Sequence, residues 1–130
     1  MTAARNALEA ELLAGLDATR DRSVAFFQEL LRAPSPNPPG DTREAAALLT
    51  GALERAGLTP RMFSPHPQMP NFVASFDAAR PGRHLVLNGH IDVFPVHAHE
   101  WSRDPWGGEI ADERVYGRGA CDMKCGLASK

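Results

Sequence analysis

The sequence predicts an α/β fold in which helices pack against a central sheet. Apolar residues recur at helical spacing over about residues 3–32 and again over about residues 42–56. Three strand-like segments follow, and the third, residues 85–87, leads directly into an Asn-Gly turn signal at 88–89. An apolar stretch that ends in a turn signal is typical of a strand covered on both faces. A pair of helices followed by such segments indicates a sheet packed by the amino-terminal helices.

The first helical region is predicted to form two helices rather than one. Gly15 and the polar DATRDRS sequence favour a break, with Asp17 or Thr19 as a new N-cap. An apolar stripe at helical spacing lies on either side of this break, and we expect both stripes to be packing faces. The stripes consist of Leu8, Leu12, Leu13 and Leu16, and of Val24, Phe27, Leu30 and Leu31.

A proline-rich connector separates this region from the second helix. The connector, APSPNPPG at residues 33–40, contains four prolines, which exclude a helix and favour an extended chain. Asp41 or Thr42 is expected to cap the second helix, and Gly57 is expected to end it.

The remaining elements are predicted to be short. Strands are expected at about residues 59–63 and 71–76, on either side of a loop with the sequence SPHPQMP. Glu109-Ile110 is expected to pair with Val115-Tyr116 as a hairpin, since turn residues lie between them. A last helix is expected to begin at about Met123.

Composition and charge argue against several classes of protein. The 130 residues fit one domain or part of a larger one, and 14 basic against 16 acidic residues give a formal net charge of −2. This balance gives no reason to expect nucleic acid or an anionic membrane as a partner. No apolar run approaches the roughly 20 residues of a transmembrane helix, and the amino terminus lacks the apolar core of a secretory signal. Because Cys121 and Cys125 do not form a disulfide framework either, we expect a reducing, cytoplasmic setting.

His90 and Asp92 follow the predicted central strand, two residues apart. Ligands of open α/β sheets bind beyond the carboxyl ends of the strands, so both side chains lie where a functional site is expected. The alternative is a strand followed by a polar loop without a chemical role.

His90 and Asp92 are part of a longer motif, GHIDVFP from Gly89. A second motif, WSRDPWGGEIADERVYGRGACDMK, begins farther along the chain at Trp101. Together they resemble the amino-terminal signatures of metallopeptidase family 20, which read G-H-x-D-x-x-P and then Y-G-R-G-x-x-D-M-K. This family of zinc-dependent amidohydrolases contains aminoacylase, acetylornithine deacetylase, succinyl-diaminopimelate desuccinylase and the glutamate carboxypeptidases. The SPNPPG connector and the NFVASF segment also fit, so the resemblance extends from about Val24 to the end of the chain. It implies that residues 1–130 are the amino-terminal portion of a zinc-exopeptidase-like catalytic domain.

The resemblance assigns roles to three residues. It implies that His90 binds one zinc ion, that Asp122 bridges two zinc ions, and that Asp92 is the catalytic carboxylate that orients the His90 imidazole. Imidazole nitrogen and carboxylate oxygen are ordinary zinc ligands, and residues i and i+2 of an extended chain point the same way. The alternatives are that His90 is a structural histidine and that Asp122 caps the last helix.

Other chemically interesting residues are given structural roles. His97 and His99 have the spacing of a ligand pair but lie in a loop, where we expect them to be solvated. His66 is likewise expected in a loop, and His84 at the start of the central strand. Cys121 and Cys125 do not match a zinc knuckle and are expected to be buried or partly buried free thiols. Trp101 and Trp106 are expected to pack rather than to bind substrate.

The resemblance implies a hydrolase of amide bonds in N-acyl amino acids or small peptides. It implies two zinc ions, with cobalt as a possible substitute, and homodimers among intact members. The catalytic Glu, the remaining ligands, the inserted dimerisation domain and the carboxyl-terminal half are expected to be absent from residues 1–130. We therefore expect this chain alone to bind zinc weakly and to hydrolyse nothing. The alternative is a non-catalytic gene fragment or a module that completes its site with another chain.

Two positions depart from the pattern of the family. Cys125 occupies a position where glycine is more frequent, and Glu113 occupies one where a turn glycine is usual. Neither position carries a predicted metal ligand.

Overall fold

The computed structural model describes residues 3–129 and confirms a mixed α/β fold. The helices are α1 (Ala3–Arg32), α2 (Arg43–Arg55) and α3 (Cys125–Ala128), and the strands are β1 (Arg61–His66), β2 (Met69–Val73), β3 (Glu109–Ala111) and β4 (Arg114–Tyr116). A 3-10 turn at Ala98–Glu100 and a kinked turn at Ala120–Lys124, in which Asp122 and Met123 have non-helical backbone angles, complete the order. Strands β1 and β2 form one antiparallel hairpin, and β3 and β4 form a second.

The prediction of two amino-terminal helices is wrong, because α1 is continuous over 30 residues. The hydroxyl of Thr19 donates to the carbonyl oxygens of Gly15 and Leu16, and that of Ser23 donates to Thr19. These hydroxyls therefore bond back to the preceding turn of the same helix and do not cap a new one. Of the helices within residues 3–129, none is both long enough and apolar enough to cross a membrane.

The two apolar stripes of α1 have different environments. Leu30 and Leu31, in the carboxyl-terminal stripe, are fully buried. The amino-terminal stripe is more than half exposed, from Leu8 at 56% to Leu16 at 65%, so it is not a packing face within the described part of the chain. The hydrophobic core therefore lies around the last turn of α1.

Helix α2 agrees with the prediction. Thr42 lies at its N-cap position, although the Thr42 side chain makes no capping bond, and Asp41 accepts a hydrogen bond from the Arg43 backbone instead. Gly57 follows the helix with a φ of +81°, a conformation that glycine adopts without strain. The buried face of α2 consists of Ala45, Ala46 and Leu49.

The first hairpin contains most of the segment that was predicted to be a loop. Arg61 pairs with Val73 and Met62 with Phe72, and the strand continues to His66, opposite Met69. The register shifts between Phe63 and His66, around Pro65. A bulge of this kind accommodates a residue that has no backbone N–H to donate. His66 is exposed as expected, but on a strand.

The second hairpin confirms the prediction for residues 109–116. Ile110 pairs with Val115, and Glu109 with Tyr116. Only Asp112 and Glu113 separate the two strands, so the turn is of the tight two-residue kind.

The predicted central strand does not form in the described structure. Residues 85–87 are not part of any strand, and Leu85, Val86 and Leu87 are 78%, 77% and 58% exposed. A strand needs a neighbouring strand for its backbone hydrogen bonds, and none lies beside this segment among residues 3–129. The prediction of a central sheet packed by helices is therefore not met within this range.

Candidate metal centre

The backbone of the first motif is held by the proline-rich connector. The Val93 N–H donates to the Ser35 carbonyl and the Asn37 N–H donates to the Val93 carbonyl, both at 2.9 Å, which forms a parallel bridge beside Pro36. The buried hydroxyl of Ser35 also donates to the carbonyl of Ile91 at 2.7 Å. The connector thus fixes the chain around His90, although no sheet is present there.

Gly119 brings the second motif against the first. Its φ is +83°, and a Cβ added at this position would lie 2.6 Å from Cγ1 of Val93, which is buried. A side chain here would meet both an unfavourable backbone conformation and a steric clash. Glycine therefore allows the Ala120–Lys124 turn to pack on the segment that carries His90.

Lys124 ties the same turn to the end of α1. Its ammonium group donates to the carbonyl oxygens of Leu30 at 2.8 Å and Ala33 at 2.7 Å, and its side chain is only 1% exposed. Burial lowers the pKa of Lys124 to about 8, while Glu44 acts in the opposite direction. The Leu30 carbonyl also accepts from the Ala33 N–H at 3.3 Å, so the ammonium group adds a donor to carbonyl groups at the end of α1.

His90 and Asp122 come together, although they are 32 residues apart in sequence. The His90 Nε2 atom lies 3.0 Å from Oδ1 of Asp122, and the His90 backbone N–H donates to the sulfur of Met123 at 3.4 Å. Asp122 does not cap the last helix, because α3 begins at Cys125 and Lys124 occupies its N-cap position. The alternative interpretation of Asp122 as an N-cap is therefore wrong.

The other ring nitrogen of His90 is held by Asp92. Nδ1 lies 2.8 Å from the backbone oxygen of Asp92 and 3.3 Å from its carboxylate Oδ1. Both of these atoms accept hydrogen bonds, so Nδ1 carries a proton, and Nε2 faces a further acceptor, Oδ1 of Asp122. The bond to the Asp92 carbonyl raises the pKa of His90, as does Asp122, while partial burial lowers it. The geometry therefore favours a positive charge, a proton or a metal ion, at Nε2.

The Asp92 carboxylate contacts a residue that the sequence analysis missed. Its Oδ2 atom accepts a hydrogen bond of 3.0 Å from the side-chain amide of Asn37. The nearer contact between Asp92 and the imidazole is through the backbone carbonyl, whereas the predicted role concerned the carboxylate alone. The signal that could have pointed to Asn37 is its place as the single amide among four prolines, where the extended backbone can pair with another segment.

His90 and Asp122 fit part of a zinc centre. Imidazole nitrogen and carboxylate oxygen suit zinc, and two ligands of one tetrahedral ion at about 2.0–2.1 Å are separated by about 3.3 Å. The observed 3.0 Å is within a few tenths of an ångström of this value, and the two side chains are 47% and 78% exposed. In the described range of 3–129, no group of three or more His, Cys, Asp or Glu side chains is arranged to hold a metal ion.

The structure also shows the environments of the other residues that the sequence singled out. His97 and His99 are exposed, with ring centroids 6.1 Å apart. Cys121 and Cys125 are free thiols as predicted, but both are exposed, so the prediction that they are buried or partly buried is wrong. The Arg118 guanidinium lies 5.2 Å from the centre of the Trp101 ring.

A cleft of about 270 Å³ adjoins Asp122. It is lined by Phe94 and by the residues from Gly117 to Asp122. Asp122 is thus one of the residues that line this open cleft.

Comparisons with known proteins identify the family. Residues 86–129, which contain His90, Asp92 and Asp122, match the profile of peptidase family M20/M25/M40. The N-formyl-4-amino-5-aminomethyl-2-methylpyrimidine deformylase of Halalkalibacterium halodurans is 36% identical over 123 residues, which are 92% of this chain and 29% of that protein. The chain belongs to the M20 family. The resemblance inferred from the two motifs is thereby confirmed.

Two further relatives of this M20 chain have the same name. The succinyl-diaminopimelate desuccinylase of Cereibacter sphaeroides is 42% identical over 107 residues, which are 82% of this chain and 27% of that protein. The succinyl-diaminopimelate desuccinylase of Granulibacter bethesdensis is 41% identical over 106 residues, with the same two coverages. The M20 chain thus spans less than a third of the length of the curated relatives that it matches.

Proposed function

We propose that this chain contributes part of the catalytic centre of a zinc-dependent hydrolase that cleaves amide bonds. The observation that carries the proposal is the position of His90 Nε2, which lies 3.0 Å from Oδ1 of Asp122 while Asp92 holds the opposite ring nitrogen. An imidazole whose Nδ1 donates to such a partner can bind a metal ion through Nε2. Family membership and the names of the relatives support the same class of reaction.

Each residue has a distinct part in this proposal. His90 would bind one zinc ion through Nε2, and Asp122 would be shared between two zinc ions, since an anionic bridge offsets the repulsion between neighbouring cations. Asp92 would keep the proton on Nδ1 and so keep Nε2 available. Bound zinc would supply a Lewis acid that polarises the amide carbonyl and lowers the pKa of a water molecule.

The proposed substrates are N-acyl amino acids or small peptides. The relatives are named as a deformylase and as desuccinylases, and both names describe removal of an acyl group. The open cleft beside Asp122 would give a small substrate access to the proposed centre. We further propose a reducing, cytoplasmic setting, in keeping with the free thiols of Cys121 and Cys125, and a homodimer as in the intact family.

A zinc ion needs about four ligands, and His90 and Asp122 supply only two side chains. We therefore expect residues 1–130 alone to bind zinc weakly and to leave an N-acyl amino acid intact. The catalytic Glu and the further ligands would lie outside this range.

The test compares the 130-residue chain with the longest product of its reading frame. Both are assayed with zinc or cobalt on a panel of N-formyl, N-acetyl and N-succinyl amino acids. We expect the longer product to be active and His90→Ala or Asp122→Asn to lower kcat/KM at least about a hundredfold, since loss of an outer partner already costs 10–100-fold. His97→Ala, the matched control in an exposed loop, should have little effect. Turnover by the 130 residues alone, or turnover unaffected by both substitutions, would contradict the proposal.

A module that completes its site with another chain is the second candidate. Leu85, Val86 and Leu87 favour it, because these apolar side chains are more than half exposed in the described structure. The DNA immediately downstream of Lys130 separates the two candidates. A continuing frame that encodes an acidic Glu-Glu pair supports the hydrolase, and a stop without such a sequence supports the module.

A further inference from the structure

We propose that Asn37 is a positioning residue that sets the orientation of His90 through the Asp92 carboxylate. The inference rests on the proposed function, in which His90 is a metal ligand. Asn37 lies in the proline-rich connector before α2 and would act on His90 only through Asp92.

The contacts form a continuous path from Asn37 to His90. The Asn37 amide donates to Oδ2 of Asp92 at 3.0 Å, and Oδ1 of the same carboxylate lies 3.3 Å from Nδ1 of His90. One oxygen is thus held by the amide and the other faces the ring. A hydrogen bond to one oxygen fixes the plane of the carboxylate, and with it the position of the second oxygen.

The backbone of Asn37 is itself fixed. Its N–H donates to the Val93 carbonyl, and the neighbouring Ser35 is fully buried and bonded to Ile91. The amide therefore approaches Asp92 from a short side chain on a held backbone, on the same pair of segments that carries Asp92. The Asp92 side chain is 38% exposed, so without this bond it can rotate toward water.

The choice of an amide has an electrostatic consequence. Asn37 is neutral and donates a hydrogen bond without cancelling the negative charge on Asp92. That charge supports a cation on the far side of the imidazole, at Nε2. An arginine or lysine at this position would weaken the support, and an aspartate would repel the Asp92 carboxylate.

The experiment replaces the amide by a carboxylate of the same shape. Asn37→Asp is made in the longest product of the reading frame, with Asn71→Asp, an exposed residue of β2, as the matched control. Zinc and cobalt affinities are measured by competition with a chromophoric chelator. We expect Asn37→Asp to weaken metal binding about tenfold, the lower end of the range for outer partners of a metal ligand, and Asn71→Asp to leave it unchanged.

A second readout needs no metal and no activity. Nitrogen-15 NMR of the histidine rings, at a pH where the rings are neutral, reports which nitrogen carries the proton, and the signal lost in His90→Gln identifies His90. We expect mainly the Nδ1–H tautomer in the unaltered protein and a smaller share of it in Asn37→Asp, where the Asp92 carbonyl still accepts from Nδ1 but the carboxylate is no longer held in place. Asn37→Ala, which retains the backbone bond to Val93, replaces Asn37→Asp in both measurements if the charged variant does not fold.

The outcomes separate the inference from the proposed function. If the unaltered protein binds zinc but its affinity and the His90 tautomer are the same in both Asn37 variants, the positioning role is overturned and the hydrolase proposal stands. If the unaltered protein neither binds zinc nor hydrolyses an N-acyl amino acid, the proposed function fails. A tautomer change in the Asn37 variants then still supports the contact path.

Discussion

At the residue scale, the turn of the second hairpin carries local strain. Asp112 and Glu113 have φ values of +51° and +59°, in the left-handed region that costs an L-residue about 1–2 kcal/mol. A two-residue hairpin turn requires this conformation, and Asn-Gly or Asp-Gly is its preferred sequence. The departure noted at Glu113 in the sequence therefore has a measurable consequence.

Glu113→Gly should stabilise the chain by about 1 kcal/mol, because it relieves the strain at the second turn position. The measurement is the free energy of unfolding in urea. Glu54→Gly, the same change within α2, is the control and should destabilise by about 1 kcal/mol. If the two substitutions act in the same direction, the assignment of strain to the turn is incorrect.

The exposed pair Asp41 and Arg43 gives a prediction about pH. Hydrogen bonds from Arg43 lower the pKa of Asp41 from 3.8 to about 2, and the shortest of these contacts is 2.6 Å. A carboxyl whose pKa is lower in the folded state stabilises the fold above its ordinary pKa, and this stabilisation is lost as the pH falls through the folded pKa.

Arg43→Gln should therefore lower the urea midpoint at neutral pH, and the difference from the unaltered chain should disappear as the pH approaches about 2. The effect should be small and should shrink with added salt, since both groups are exposed to solvent. Arg61→Gln, on β1, serves as the comparison. A difference that persists unchanged below pH 2 would exclude this origin.

At the scale of elements, Lys124 connects the kinked turn at Ala120–Lys124 to α1. Lys124→Met should destabilise the chain by about 1–3 kcal/mol, because the buried carbonyl of Ala33 loses this donor and that of Leu30 keeps only the Ala33 N–H. Arg20→Met, on the exposed part of α1, should have little effect, and urea unfolding measures both. A Lys124→Met chain as stable as the unaltered one would show that relief from burying the charge cancels the lost bonds.

The approach of Gly119 to Val93 can be tested by adding one methyl group. Gly119→Ala should destabilise by about 2 kcal/mol or more, through overpacking against Val93 and through the positive φ. Val93→Ala in the same chain should recover part of the loss, since it removes the clash but not the backbone strain. Gly82→Ala, where no atom lies within 4 Å of the added carbon, is the control. Absence of any recovery in the double variant would indicate that the strain alone is responsible.

The sequence predicted the elements whose signals are local. The second hairpin and the end of α2 at Gly57 depend on residues next to one another, and both were predicted within a residue or two. The predicted break in α1 failed because Thr19 and Ser23 bond within the helix, which composition does not reveal. The strand at residues 85–87 failed because a strand depends on neighbours distant in sequence.

The same distinction applies to the candidate site. His90, Asp92 and Asp122 were selected because their motifs are contiguous in sequence. Asn37 and Lys124 were missed, because they act across 55 residues to Asp92 and across 94 residues to Leu30. Contacts of this length appear only when the fold is known.

At the scale of the whole molecule, the described chain carries apolar surface that it does not cover. Val86 is 77% exposed, so Val86→Lys should change the free energy of unfolding of the 130-residue chain by no more than about 0.5 kcal/mol. The same substitution should reduce self-association in sedimentation experiments, since it interrupts an apolar patch. Leu30→Lys, at a fully buried position, is the contrasting variant and should prevent folding. A large loss of stability from Val86→Lys would indicate that residue 86 is covered in solution.

The two sides of the candidate centre differ in how firmly they are held. The backbone N–H of His90 is bonded to Met123 and its Nδ1 is held by Asp92, whereas the Asp122 side chain is 78% exposed. An ion that needs slightly more room than the 3.0 Å between Nε2 and Oδ1 would therefore displace the carboxylate and not the imidazole. In the proposed centre, tolerance for cations of different radius would then come from residue 122, and residue 90 would determine where the cation lies.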